Sequence, residues 1–289
     1  MKYILKLSIF LLLTSFTIEF AQAQTKNRKL VKADIAFENE EYIKAADLYK
    51  KAYKKTKNKA IKAEIIFKQA ECYRKSLNYK RAASFYKRAI RAKYPDVIVY
   101  LHYADILRIQ ENYETAIKYY NEYSKLNPTD VRGEIGKKSC EFAQKWLKNP
   151  TRYVVKPLSV LNSKNSDFSP SFGNSDYNEI YFTSSREGGL SEDIDERTGE
   201  NYTDIYVSKL QKSGKWSAPA LLPSPINSGN AHEGSSYLNT RGNRMYFTKC
   251  STEDKKINNC SICVSSKKGK LWGDPQQLQI DIDSGITIG

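Results

Sequence analysis

The sequence is poor in the residues that perform chemistry. It holds two histidines, His102 and His232, one in each half, and no G-x-S-x-G elbow, phosphate loop or dinucleotide fingerprint. His102 falls in a helical pattern, where a packed ring is its ordinary role. His232 stands beside Glu233, and one such pair lacks the third group of a triad and the further ligands of a metal site. No catalytic residue, metal or cofactor is therefore expected. Long apolar runs are missing too: Ile9 to Leu13 with Phe16 and Ile18 is broken by Thr14, Ser15, Thr17 and Glu19, too short a stretch to span a bilayer. With Lys2 and Lys6 before it and Ala21-Gln22-Ala23 after it, this stretch reads as a cleavable signal peptide over residues 1–23. The mature chain then starts near Gln24, exported and without a transmembrane segment. The first cysteine is Cys72, so no lipid-anchoring Cys follows the cleavage site.

Cysteine is sparse, at five. In an exported chain the cluster Cys250, Cys260 and Cys263 suggests one bridge, from Cys250 to either Cys260 or Cys263, whereas zinc would need a fourth ligand of suitable spacing. Cys72 and Cys140 lie on helical faces and read as packed thiols. The acidic stretch Glu187 to Glu200 does not follow calcium-loop spacing and reads as a solvated insertion.

The charge, by contrast, is large and one-sided. Net charge is +15, yet residues 24–150 hold 29 Lys+Arg against 15 Asp+Glu, while residues 151–289 balance at 16 of each. The basic excess belongs to the first half and marks either an anionic partner or the solvated faces of amphipathic helices. Export makes nucleic acid an unexpected partner.

That first half repeats. Tyr42-x-x-Ala45-x-x-x-Tyr49-x-x-Ala52 recurs from Tyr79 (Ala82, Tyr86, Ala89) and from Tyr113 (Ala116, Tyr120, Tyr123), each copy preceded by a small residue nine positions earlier: Ala33, Ala70 and Ala104. Small residues in register allow close helix approach, and the aromatics fill the space between helices. Residues 131–147 read as one more amphipathic helix that caps the array, with Ile135, Cys140, Phe142, Ala143, Trp146 and Leu147 available for packing, and Asn149-Pro150 closes it.

From residue 151 the period becomes that of strands. Phe168 to Phe172, Ile180 to Ser184, Asp204 to Ser208 and Trp216-x-x-Pro219 form one copy; Glu233 to Tyr237, Met245 to Thr248, Ser261 to Ser265 and Trp272-x-x-Pro275 form a second. Two such units leave strand edges open, so the expectation is a piece of a longer protein or a sheet completed by another chain.

These patterns resemble known families. The first half is similar to tetratricopeptide repeats, and the second resembles PD40 or TolB-like propeller blades through its Ser-Pro, Tyr-Phe-Thr and Asp-Ile-Tyr elements. The resemblance implies an all-α tetratricopeptide solenoid with capping helix over 24–150, followed by an all-β, incomplete β-propeller over 151–289. The order of modules, with Ser139-Cys140-Glu141 in the capping helix, resembles the OmpA-family envelope proteins of Bacteroidota, most nearly the PorE-like component of type IX secretion. It implies a non-catalytic, periplasmic, outer-membrane-associated scaffold whose protein partner is a PorP/SprF-type barrel or a secretion component, with peptidoglycan bound only through domains outside this chain. The tetratricopeptide pattern implies a partner-binding concave face of Asn27, Leu30, Asp34 and Phe37, then Glu64, Phe67, Glu71, Arg74 and Lys75, then Leu101, Asp105 and Arg108. Its mixture of signs and apolar groups suits a protein better than a phosphate backbone. The rivals are an envelope hydrolase or peptidase whose propeller gates a catalytic domain outside this chain, and a regulator binding a wall fragment.

Overall fold

The computed structural model describes residues 28–191, 193–253 and 256–279 and divides the chain into two compact units, the division falling between Thr151 and Arg152. The segment read as a signal peptide, and Asn27, lie outside the described residues.

The first unit is seven helices, α1 (Arg28–Glu38), α2 (Tyr42–Lys55), α3 (Lys59–Lys75), α4 (Tyr79–Arg91), α5 (Ile98–Ile109), α6 (Tyr113–Leu126) and α7 (Arg132–Lys148). Each packs on the next in sequence, giving three helix pairs and a closing helix. The repeated residues explain why. Ala33, Ala70 and Ala104 on the first helices and Ala45, Ala82 and Ala116 on the second are all fully buried, so the backbones approach closely. Tyr49, Tyr86 and Tyr120 are also fully buried and fill the gap beside each alanine.

The turn within each pair is a repeat in backbone terms as well. Glu40, Leu77 and Glu111 adopt left-handed φ values of 62°, 60° and 61°. Each lets the following N–H reach a carbonyl five residues back: Glu41 to Ala36, Asn78 to Tyr73 and Asn112 to Leu107. Asn58 and Asn78 then cap α3 and α4 by accepting hydrogen bonds from first-turn N–H groups.

The closing helix packs differently from the expectation. α7 lies on α6 through Gly133, Gly136 and Cys140, because a side chain at Gly136 would stand 2.3 Å from the Tyr120 ring. Among the apolar residues expected to pack, Ile135, Phe142, Trp146 and Leu147 are instead exposed. Large side chains on the inner face would push α7 off the two buried tyrosines of α6.

The second unit contains two antiparallel sheets. In chain order the strands are β1 (Asp167–Phe172), β2 (Glu179–Ser184), β3 (Asp204–Lys209), β4 (Ala220–Leu221), β5 (Ala231–Leu238), β6 (Arg244–Glu253), β7 (Lys256–Lys268), β8 (Leu271–Trp272) and β9 (Gln276–Gln277). The first sheet runs β1-β2-β3-β4, and the second runs β5-β6-β7-β8 with β9 also on β7. One apolar core lies between them: Tyr181, Ile205 and Val207 from the first, Leu238, Met245, Phe247 and Cys263 from the second, and Leu222 and Ile226 from the connection.

The two sheets repeat each other in detail. β1 and β5 each break register at a serine with positive φ, Ser169 at 49° and Ser235 at 50°. Leu222 N–H donates to the Ile205 carbonyl at 3.0 Å, and Leu278 N–H to the Ile262 carbonyl at 2.8 Å. The alignment nevertheless differs from the expectation by one residue, because the turn after β1 spans residues 173–178 and the turn after β5 only 239–243. Ser171 lies opposite Tyr181 as Tyr237 lies opposite Tyr246, so the equivalent of Phe172 is Leu238 rather than Tyr237.

Candidate protein-binding surface

The first helix of each pair carries a carboxylate fifteen residues before the buried tyrosine of the second, and in each pair the two meet. Tyr49 Oη donates to Asp34 Oδ1 at 2.8 Å, Tyr86 Oη donates to Glu71 Oε1, and Tyr120 Oη donates to Asp105 Oδ1 at 2.6 Å. A cation completes each rung. Lys68 Nζ lies 2.7 Å from Asp34 and 3.2 Å from Glu64; Arg74 Nη2 lies 2.5 Å from Glu71; Arg108 Nε donates to the Tyr120 hydroxyl at 3.1 Å. The rungs fix half-exposed charged groups in place from below.

The middle rung is the most buried. His102 Nδ1 approaches Glu71 Oε1 at 2.7 Å, tying α5 to α3. Burial alone raises the Glu71 carboxyl, but hydrogen bonds from His102 and Arg74 outweigh it and hold the group at about 2. Burial, together with the neighbouring carboxylate, pushes the Tyr49 and Tyr86 phenols far up, so both remain neutral donors. Beside this rung Phe67 stacks on Tyr94, ring centroids 4.3 Å apart and nearly parallel, and Lys75 Nζ stands over the rings of Phe37 and Tyr42 at 6.0 and 5.3 Å.

The residues expected on the partner face thus divide. Asp34, Phe37, Glu64, Phe67, Arg74, Lys75, Asp105 and Arg108 are accessible to differing degrees, and Glu71 is buried at the centre of its rung. Leu30 and Leu101 are buried in the helical core, at 6% and 2% exposure, and present nothing to a partner. Leu30 belongs to the buried cluster with Ala33, Ala45 and Tyr49, and Leu101 to that with Ala104, Ala116 and Tyr120. Lys68, Tyr94 and His102 are additions. The recurrence of carboxylate and tyrosine at fifteen-residue separation in all three copies was the available signal for the rungs.

In the second unit Cys250 and Cys260 sit directly opposite each other on β6 and β7 and form a disulfide, leaving Cys263 a buried free thiol. Cys72 and Cys140 are buried free thiols as well. His232 Nδ1 accepts from the Thr203 N–H at 3.2 Å, its ring lies 4.3 Å from Tyr202, and burial lowers its pKa. Glu233, the next residue along β5, is fully buried and is held by Ser228 at 2.6 Å and Lys249 at 2.9 Å. The two side chains therefore have separate partners. Asp195, expected in a solvated loop, is buried against Arg197 at 2.8 Å, so part of the acidic insertion is packed. Among the described residues no cluster of three or more His, Cys, Asp or Glu is placed to hold a metal. No helix among them is long and apolar enough to cross a membrane.

The tetratricopeptide repeat family model matches residues 67–131, which contain the middle and third rungs. The helical unit is a tetratricopeptide-like solenoid. Among solved structures the chain is similar to the UNC-45 chaperone, described as binding and folding muscle myosin, at 21% identity over 43% of this chain and 14% of that one, with a TM-score of 0.39. It is also similar to YrrB, a TPR protein with an unusual peptide-binding site, at 20% identity over 45% of this chain and 68% of that one (TM-score 0.38), and to the Sgt2 TPR domain of Aspergillus fumigatus, at 16% identity over 45% and 86% (TM-score 0.37). No curated protein matches the chain.

Proposed function

We propose that the protein is a non-catalytic, exported scaffold of the cell envelope that holds a protein partner on the first-helix face of its tetratricopeptide-like solenoid. The observation that carries this reading is the set of rungs. Lys68, Arg74 and Arg108 are each anchored to a carboxylate–tyrosine pair from the core, so a charged, partly aromatic surface is ordered before any partner arrives. Surfaces of mixed charge with half-exposed aromatic rings suit a peptide segment better than a polyanion.

The second unit is read as consecutive blades of a PD40-like propeller. Its repeated bulge and repeated Leu N–H bond support this, as does an open face: Tyr181 and Val207 are buried between the sheets, whereas the equivalent Tyr246 and Val264 are half-buried. A further blade or another chain covers that face in this reading. The module order supports assignment to an OmpA-family assembly of the type IX secretion kind at the periplasmic side of the outer membrane.

The test is site-directed photo-crosslinking in envelope preparations. A photoreactive residue replacing Lys75 or Phe67 is expected to capture a protein, and the Arg74→Glu change is expected to abolish capture. Equal capture from a control position such as Ile109, or capture insensitive to Arg74→Glu, would sink the assignment.

A further inference from the structure

The basic charge of the helical unit is sorted by helix. α4 carries Lys80, Arg81, Lys87, Arg88 and Arg91 with no carboxylate, and all five are exposed. Lys80 and Lys87, and Arg81 and Arg88, are seven residues apart, and Arg91 follows Lys87 and Arg88 by four and three, so they share one solvent stripe in which Ser84 is the uncharged member. α2 repeats the arrangement with exposed Lys50, Lys51, Lys54 and Lys55 against Asp47 alone, apart from the Lys44–Glu41 pair, and the turn into α3 adds Lys57 and Lys59. The second helix of the third pair is different: α6 balances Lys118 and Lys125 with Glu114 and Glu122. Meanwhile the carboxylates Asp34, Glu64 and Glu71 belong to the first helices and are paired there with Lys68 and Arg74.

We infer that the solvent faces of α2 and α4 form a docking surface for an anionic lipid bilayer. This surface uses the second helices and is separate from the partner face built on the first. Three observations select a bilayer over other anions. Three aromatic rings beside the stripe are already covered, Lys62 over Tyr53 at 4.9 Å, Arg81 over Tyr73 at 5.4 Å and Arg88 over Phe85 at 4.5 Å, so these are not offered to a stacked base. Lysine predominates on α2 and its turn, a point charge without the fork that arginine presents to phosphate in bidentate recognition. The stripe itself carries none of the large apolar side chains that form the centre of a protein interface, the exposed ones standing singly at its margin: Ile43 at 37%, Ile61 at 38% and Leu77 at 57% exposure. A headgroup layer requires only a high density of positive charge within a Debye length of the surface.

The experiment is co-sedimentation of the full chain with vesicles of phosphatidylcholine alone and of phosphatidylcholine with about one-third phosphatidylglycerol, at roughly 0.1 M salt. The chain is expected to pellet with the anionic vesicles, to stay in solution with the neutral ones, and to be released at about 0.5 M salt. The variant Lys50→Gln/Lys54→Gln/Lys87→Gln/Arg91→Gln is expected to bind at least about tenfold more weakly, and Lys118→Gln/Lys125→Gln within about twofold of the parent. The two-site variant Lys87→Gln/Arg91→Gln, expected to lose part of the binding, keeps the test decisive if the larger one melts early by circular dichroism. All variants keep residues 1–27, so any contribution from that segment is common to them. Equal binding to neutral and anionic vesicles overturns the proposal, as does parent-like binding by the four-site variant. Retention on duplex DNA without vesicle binding in the same buffer overturns it too and assigns the surface to a soluble polyanion.

Discussion

The two units both repeat, but they conserve different things from copy to copy. In the solenoid the side chains are kept: alanine at 33, 70 and 104, tyrosine at 49, 86 and 120, and a carboxylate at 34, 71 and 105, with the same contacts each time. In the bulged first strands of the two sheets the backbone is kept while side chains change. Ser169 and Ser235 share a bulge and a positive φ, yet the next positions pair Pro170 with Ser236 and Ser171 with Tyr237. Helix stacking depends on the volume between two cylinders, which side chains set. Sheet formation depends on ladder hydrogen bonds that any side chain permits.

The largest expected effect tests the volume argument. Ala82 is fully buried where α4 meets its neighbours, and Ala82→Leu adds a branched side chain with no space to enter. A loss of about 3 kcal/mol is expected in urea unfolding, at the upper end of overpacking penalties. A loss below about 1 kcal/mol would show that this array tolerates separation of its helices. Next is the middle rung. Glu71→Gln removes the charged acceptor of His102, Arg74 and Tyr86 and is expected to cost about 2 kcal/mol. The Glu71 pKa in the folded chain lies below its ordinary 4.5, so its contribution is complete above about 4.5 and is lost as pH falls toward about 2. Thermal melts from pH 5 to pH 2 are expected to fall less steeply for the variant. Parallel curves would mean that the rung does not set this pH dependence.

This difference explains how much of the molecule was legible in the sequence. Helix pairs, their number and their buried Ala and Tyr were readable because a repeated volume requires a repeated residue. Of the expected partner face, the accessibility of Phe37, Lys75 and Arg74 follows from position, but the burial of Leu30 and Leu101 does not, because a first helix carries apolar residues on two faces and sequence alone does not say which faces inward. His102 was read as a packed ring because its partner Glu71 lies a whole repeat away. In the strand unit, element order was readable, whereas the one-residue bulge and the choice of Cys260 over Cys263 depend on register, which has no local signature.

A smaller effect concerns a backbone problem that the two units have in common. Both use non-glycine residues in left-handed conformation at a repeated position. Leu77, at φ 60° and 57% exposed, ends the turn before α4. Leu77→Gly removes a steric cost of about 1–2 kcal/mol while adding unfolded-chain freedom of up to about 1, for an expected net gain of about 0.5 kcal/mol. A loss would show that the Leu77 side chain contributes packing that its exposure does not suggest.

The last test asks whether side chains are indeed free to vary in the strand repeat. Tyr237 stands opposite Tyr246 and is 63% exposed, and its structural equivalent in the first sheet is Ser171 opposite Tyr181. If the ladder and bulge carry the repeat, Tyr237→Ser merely gives the second sheet the residue the first already uses. Its cost in denaturant unfolding is expected to stay within about 0.5 kcal/mol, the range for an exposed site away from special features. Tyr237 does face a cross-strand tyrosine, and such aromatic pairs contribute up to about 1 kcal/mol. A loss above about 1 kcal/mol would therefore mean that the second sheet has replaced a backbone solution with a side-chain one, and the contrast between the two units would narrow to a difference of degree.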